Sequence, residues 1–583
     1  MPRLGLPVFH VFLLLFAGLH TTFGAVVRTR VVGGNGTAGA QEVQGRPTNL
    51  AVDRKGYSYL LGDYSALNRN RMFFIDLALV SKADVQPFAA KQSPQGEILW
   101  VTDLVAMPAG GHNGTKYVAS ATGMALDEEG NCFISGYFNT ATLSFPTSMA
   151  TNITLTNPGF AQGRYAQYVA KLDTVVGMVL WATLLSSPGG SIANADKKLP
   201  STIVIDSTGG IVYFGGAYGP PDDDVSASGT YDLSGTPVAA YGKLDMLLAQ
   251  FSAETGEIVW IRTYGGRADD AIASLAVSKK NDGVILLANS GSAVIELGDR
   301  VPTITMSRWD GAGNTVLLAV LDAKGSRRSP AGSIVVATAF GGSDEFNNGK
   351  GTCLTVDNSD DVYVLGNFNG RFNVGSDRRG RATMLQSLQA NPANPSRLAD
   401  TDVFLGKYSI GMSPTFKLQW AQTFGGLDQD IAGALDEGGG NVFLSVFSAS
   451  KTIIMGNESP RILRGAIVLE NNLAGDYATT NLATVSTNNG KMITANNELA
   501  PACTVAPGAE IDGQQTFGLD QDGYLYVWGP HYLPDMGPDA VKARTVCAEE
   551  LPVVLGGELV YHAKISVLSC REARRCTRLF GCV

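Results

Sequence analysis

The chain has 583 residues, of which 17% are charged and 45% hydrophobic, with a formal net charge of −9. That share of apolar residues excludes a disordered chain, because a core can offset the entropy of ordering. A small negative charge over so long a chain, with no basic cluster, gives no means of recognising nucleic acid or an anionic membrane surface.

Residues 1–24 read as a secretory signal. Arg3 is a positive start, Leu4–Leu19 an apolar run, and Thr22-Phe23-Gly24 offers small residues for cleavage after Gly24. No later stretch is long and apolar enough for a spanning helix. A secreted, extracellular protein is therefore expected. Four N-x-Ser/Thr sequons, at Asn35, Asn113, Asn152 and Asn457, are candidate glycosylation sites on that route. Of seven cysteines, Cys132 and Cys353 lie alone inside apparent strands and read as small buried hydrophobes. Cys503, Cys547, Cys570, Cys576 and Cys582 crowd the C-terminal part. Some of these should pair after export, and an odd thiol is left over or bonded to another chain, so a monomer and a disulfide-linked form both stay open.

Residues 25–45 read as an irregular leader. Within it Arg30-Val31-Val32-Gly33-Gly34 resembles the activation site of a trypsin-like protease. Asp76-Leu77-Ala78-Leu79-Val80 faintly resembles that family's triad aspartate segment, but no histidine lies between the two and no Gly-Asp-Ser-Gly-Gly loop occurs, so hydrolysis of that kind lacks both base and nucleophile.

From residue 46 a repeat takes over. Its first signature is an apolar strand ending in Asp, a Gly-containing turn, and a second apolar strand, as in NLAVDRKGYSYLLGDY from Asn49 and LTVDNSDDVYVLGNF from Leu354. The markers Asp53, Asp127, Asp206, Asn281, Asp357, Asp436 and Asp520 stand 74, 79, 75, 76, 79 and 84 residues apart. A near-constant step over seven copies signals a repeat architecture. The second signature is an F-x-A-K strand, a Gly turn and a strand carrying Trp, with copies reaching Trp100, Trp181, Trp260 and Trp420. A fifth, LLAVLDAKG from Leu317, keeps the strand and loses the Trp, and Ala466–Gly475 and Leu559–Ile565 read as degenerate sixth and seventh copies. Short Val-, Phe- and Tyr-rich runs between Gly and Asp turns are strands. Four strands per repeat make one blade, and seven blades in a ring bury both faces of each. The predicted fold is all-β, a seven-bladed β-propeller of four-stranded blades over 46–566, with a short basic Cys-rich tail at 567–583. The repeated Trp is expected to pack between blades.

The two signatures together resemble the SBBP repeats, a β-propeller repeat family. That resemblance implies a secreted or cell-surface module with no common catalytic residues.

With the Asp-ended strand innermost, one face of the disc collects the long connections Asn139–Arg164, Pro220–Gly242 and Asn369–Thr401, together with the Gly-Gly-x-x-Asp turns. Carboxylates of those turns, Asp269, Asp270, Asp344, Glu345, Asp428 and Asp430, would project toward the channel mouth. As a metal site, Asp269, Asp270, Asp344, Asp428 and Asp430 would suit Ca²⁺, which takes about six to eight oxygen ligands. The competing reading is that each Asp caps its own turn. No other cofactor is indicated. Histidine is scarce, which disfavours catalysis built on it. The expected function is a non-catalytic binding or scaffold module that presents loops to an extracellular protein or glycan. The alternative is a glycan hydrolase or lyase with a carboxylate-lined channel, and a weaker third is a quinone-dependent dehydrogenase.

Overall fold

The computed structural model describes most of residues 44–455, together with 25–34, 461–462, 479–486, 492–496, 516–519, 524–531 and 559–566. Within 44–455 the segments 66–71, 109–115, 187–200, 220–228, 306–313, 342–347, 388–400 and several shorter turns lie outside the described residues. The fold is all-β. Among the described residues the only helical piece is one 3-10 turn, Phe160–Gln162.

Seven sheets among the described residues share a unit of four antiparallel strands, in chain order in all but the last. We number them as blades. Blade 1 is Gln44–Val52, Ser58–Ser65, Gln86–Gln92 and Ile98–Asp103. Blade 2 is Ala119–Leu126, Cys132–Phe138, Ala166–Leu172 and Val179–Leu185; blade 3 is Thr202–Ile205, Ile211–Tyr218, Asp245–Ser252 and Ile258–Tyr264. Blade 4 is Asp270–Val277, Val284–Ser290, Thr315–Asp322 and Ser333–Gly341; blade 5 is Asn348–Val356, Val362–Asn369, Asp402–Ile410 and Phe416–Gly425. Blade 6 is Asp430–Gly438, Asn441–Ser448, Thr479–Ser486 and Met492–Asn496. Its third strand is thus not the Ala466–Gly475 segment the pattern pointed to, which lies outside the described residues. Blade 7 is Thr516–Leu519, Tyr524–His531, Leu559–Ser566 and, as fourth strand, Ala25–Gly34.

The first strands lie against one another in order, and that of blade 7 returns to that of blade 1. This is a β-propeller with the Asp-ended strands around the axis. The expectation of an irregular leader is corrected at its N-terminal half. Ala25–Gly34 pairs antiparallel with Leu559–Ser566, from Ala25 opposite Ser566 to Gly33 opposite Leu559. The physical reason is the open edge of the third strand, whose unpaired backbone groups need a partner. The run AVVRTRVV is rich in β-branched residues that suit a strand.

The cores lie between blades. Ile134 and Phe138 of blade 2 pack with Tyr59 and Ala89 of blade 1, while Phe133 of the same strand packs with Phe214 and Leu247 of blade 3. Alternate side chains of one strand therefore enter two different cores. That is why the second and third strands read as continuous apolar runs and not as alternating ones.

The long connections between second and third strands form hairpins that cover the neighbouring edge. Thr142–Phe145 pairs with Val105–Met107, which follows blade 1. Thr452–Met455 pairs with Phe424 and Gly425 at the end of blade 5, and Met72–Phe74 with Gly33 and Gly34 of blade 7. In blade 4 Glu296 pairs with Gly265, and in blade 3 Ser234 Oγ donates to the Leu184 carbonyl of blade 2. The described parts of Asn139–Arg164, Pro220–Gly242 and Asn369–Thr401 are thus largely packed hairpins, not free loops. An exposed outer strand is an aggregation hazard, and a hairpin laid on it removes that hazard.

Candidate functional site

Two kinds of polar seam hold the blades together, one on each face. On the face of the Asp-x-x-Gly turns, the carboxylates of Asp53, Asp127, Asp206 and Asp357 each accept backbone N–H bonds from their own turn. Beside them sits a clasp built from the second signature. Lys91 Nζ donates to the carbonyl and hydroxyl of Thr174, both at 2.9 Å, in the turn of blade 2. Trp100 Nε1 donates to the same carbonyl at 3.3 Å. Lys171 and Trp181 repeat this on the Ala253 carbonyl of blade 3, each at 3.2 Å. Lys407 instead meets Asp361 at 2.9 Å and Asp357 at 3.6 Å. Trp100 and Trp181 thus pack blade to blade, as expected, and Lys91 and Lys171 join them, whereas Lys407 pairs within its own blade.

On the opposite face lie the Gly-Gly-x-x-Asp turns. Gly266 N donates to Asp270 Oδ2 at 2.7 Å, Ser292 Oγ to the same oxygen at 2.8 Å, and Ser290 Oγ to Asp270 Oδ1. Between blades 5 and 6, Gly426 N donates to Asp430 Oδ2 at 2.6 Å. Both carboxylates are fully buried. The expectation that they project toward the channel mouth is corrected. Each is the first residue of an innermost strand, and the amide of its turn's second glycine draws it inward. Asp269 is half-buried, with its backbone bridged to Leu244. Asp344, Glu345 and Asp428 lie outside the described residues. No three of His, Cys, Asp or Glu converge as metal ligands among the described residues.

Two further carboxylates belong to these seams. Asp245 and Asp402, the first residues of the third strands of blades 3 and 5, are fully buried. A Cβ on Gly265 would collide with Asp245 and would stand 3.0 Å from Asp270 Oδ2, so that glycine separates two carboxyl groups. Gly425 abuts Asp402 in the same way. Burial, with the negative charge of Asp270 adding to it, pushes Asp245 up to about 8 despite the Tyr241 and Gly242 amides. Burial raises Asp270 to about 6, against hydrogen bonds from Ser290, Ser292 and Gly266. A raised carboxyl is what acid catalysis in a glycan hydrolase uses. These two are sealed inside a turn, where no substrate reaches them. The sequence signal for the new pair is an Asp five residues before the Lys or Gln of the second signature, at Gln250 and Lys407.

Among the described residues the large apolar side chains that reach solvent fall into three sets. Met107, Val294 and Met384 lie on the edge strands Val105–Met107, Val294–Ile295 and Ala382–Gln386, and Met149 lies between Thr142–Phe145 and Ile153–Thr156. Leu99, Leu180 and Val259 stand immediately before the Trp of blades 1, 2 and 3, and are 47%, 51% and 58% exposed. Val175 and Val176 lie in the turn of blade 2 that Trp100 clasps. Of the candidate glycosylation sites, Asn152 is exposed beside the strand Ile153–Thr156, while Asn35, Asn113 and Asn457 lie outside the described residues. Among the described residues Cys132 and Cys353 are free thiols; the other five cysteines lie outside them. No described helix is long and apolar enough to cross a membrane.

No family model and no curated protein matches the chain. Among solved structures, a phage phi92 endosialidase aligns over 92% of this chain and 69% of its own, at 9% identity and a TM-score of 0.36. The quinohemoprotein alcohol dehydrogenase of Comamonas testosteroni aligns over 92% and 76%, at 10% identity and 0.33. A protein of unknown function from Dyadobacter fermentans aligns over 93% and 99%, at 10% identity and 0.33. Likenesses at that level carry no argument about activity or ligand. The propeller assignment rests on strand order and on the ring of first strands.

Proposed function

We propose that this chain is an exported, non-catalytic β-propeller that binds an extracellular protein along the rim of blades 1 to 3. One observation carries the reading. Leu99, Leu180 and Val259 occupy the same register of three successive blades, and each is exposed. In a repeat array, one position exposed in successive units forms a strip, and an apolar strip at a rim suits a protein ligand. Export is supported by the N-terminal segment ending at Gly24, with the closing strand beginning at Ala25. The SBBP-like pattern of the blades agrees with a module of this kind.

The test compares wild type with Leu99→Ser/Leu180→Ser/Val259→Ser on an extracellular-protein array and a glycan array. Protein binding lost in the triple variant, at unchanged melting temperature, supports the proposal. Glycan binding indifferent to the triple variant, or turnover of an arrayed glycan, overturns it.

A further inference from the structure

The seam between blades 3 and 4 has a property that the binding reading does not use. Asp245 and Asp270 are both fully buried and flank Gly265 from two sides. Asp270 is satisfied by Gly266 N, Ser290 Oγ and Ser292 Oγ. Asp245 is not. Its Oδ2 accepts from Tyr241 N at 2.8 Å, and its Oδ1 has no hydrogen-bond partner. That oxygen is the atom nearest a Cβ placed on Gly265, and Asp270 Oδ2 is the next, at 3.0 Å. The other charged or titratable groups on the packed elements are Tyr137, Tyr165, Tyr218, Tyr241, the exposed Lys243, Arg262, Tyr264, Arg267, Asp269 and Glu296. No cation among the described residues forms an ion pair with either carboxylate. The same seam is a backbone joint, because Asp270 N donates to the Leu244 carbonyl at 2.7 Å.

We propose that a proton bound at Asp245, against Asp270, closes the joint between blades 3 and 4, and that its loss at alkaline pH loosens the ring there. Two carboxylates this close and fully buried do not both ionise without a cation. One proton leaves a carboxyl facing a carboxylate. Removing it leaves two like charges across one glycine, and the relief is separation of the strands or entry of water. The raised values of about 8 for Asp245 and about 6 for Asp270 agree with this geometry. Between blades 5 and 6 Asp402 likewise abuts Gly425, and Asp430 accepts from Gly426 N.

The sign follows from linkage. The folded seam holds protons that the unfolded chain releases near the ordinary carboxylate value of about 4. Its contribution is therefore full below that value and is lost as pH rises through the folded values, about 6 to about 8. The experiment follows the melting midpoint and amide exchange of the full chain across that interval, for wild type and Asp245→Asn. The wild-type midpoint should fall by several degrees, with exchange rising at Asp270 and Gly266 beyond its intrinsic pH dependence. Asp245→Asn should flatten both. If that variant does not fold, infrared spectra of wild type decide: a protonated-carboxyl band at neutral pH that vanishes on alkalinisation with the same midpoint as the exchange supports the proposal. Equal slopes in wild type and variant, or no such band, overturn it.

Discussion

The indole of Trp100 in blade 1 lies over Gly177, a turn residue of blade 2, where a Cβ would overlap Cδ2 and Cε3 of the ring. Gly177 has φ of 71°, a left-handed conformation that side chains resist. Trp181 and Gly256 repeat the pair one blade further on.

Gly177→Ala is therefore expected to destabilise the protein by about 2–4 kcal/mol, from backbone strain and overpacking together. In a Trp100→Ala background the clash is absent, and the same change should cost about 1–2 kcal/mol. A double-mutant cycle by urea unfolding measures the coupling. Additive effects would refute the contact.

Asp63 of blade 1 accepts from Ser120 Oγ and from Ala121 N, the latter at 3.2 Å, both in blade 2. Asn289 and Asn367 hold the same sixth position of their strands and accept from Gly351 N and Ala432 N of the next blades. Asp63→Ala leaves a buried amide unpaired and should cost about 1–3 kcal/mol. Asp63→Asn keeps an acceptor and should cost distinctly less. Chemical denaturation of both variants checks the order.

Lys407 joins Asp361 and Asp357 of its own blade and sits 5.1 Å from the centre of the Tyr363 ring. Burial alone would raise Asp357, but the Asp361 and Ser359 amides, the Tyr363 hydroxyl and Lys407 outweigh it and hold the carboxyl below its ordinary value. A lowered carboxylate stabilises above the unfolded value and loses that contribution as pH falls. Lys407→Met should lower stability at neutral pH by about 1–3 kcal/mol and reduce the loss seen on acidification. Melting midpoints at neutral and acid pH show it. This slope runs opposite to that expected of Asp245.

Removal of residues 1–34 strips the last blade of its fourth strand and bares the edge of Leu559–Ser566. Each net ladder bond is worth about 0.5–1.5 kcal/mol, so the truncated chain should lose several kcal/mol in all. It should also self-associate through the open edge. A peptide of residues 25–34 added in trans should restore the midpoint and the monomer. Light scattering and thermal melts decide; a truncated chain as stable as wild type would refute closure by this strand.

What is local was legible along the chain. Asp53, Asp127, Asp206 and Asp357 cap turns within about five residues of themselves, and such chemistry repeats visibly, so the strands, their step and the all-β propeller were legible. Repetition also marked Trp100 and Trp181 as packing residues, because they recur at one place in the unit. Which groups meet across a seam depends on how the blades pack. Asp245 and Asp270 belong to different blades, and no turn pattern says that one glycine separates them. Asp270 and Asp430 had the look of solvent-facing ligands, but their own turns hold them inside. The leader became the closing strand for the same reason: its partner, Leu559–Ser566, lies at the far end of the chain, and pairing between strands leaves no short-range mark in either one.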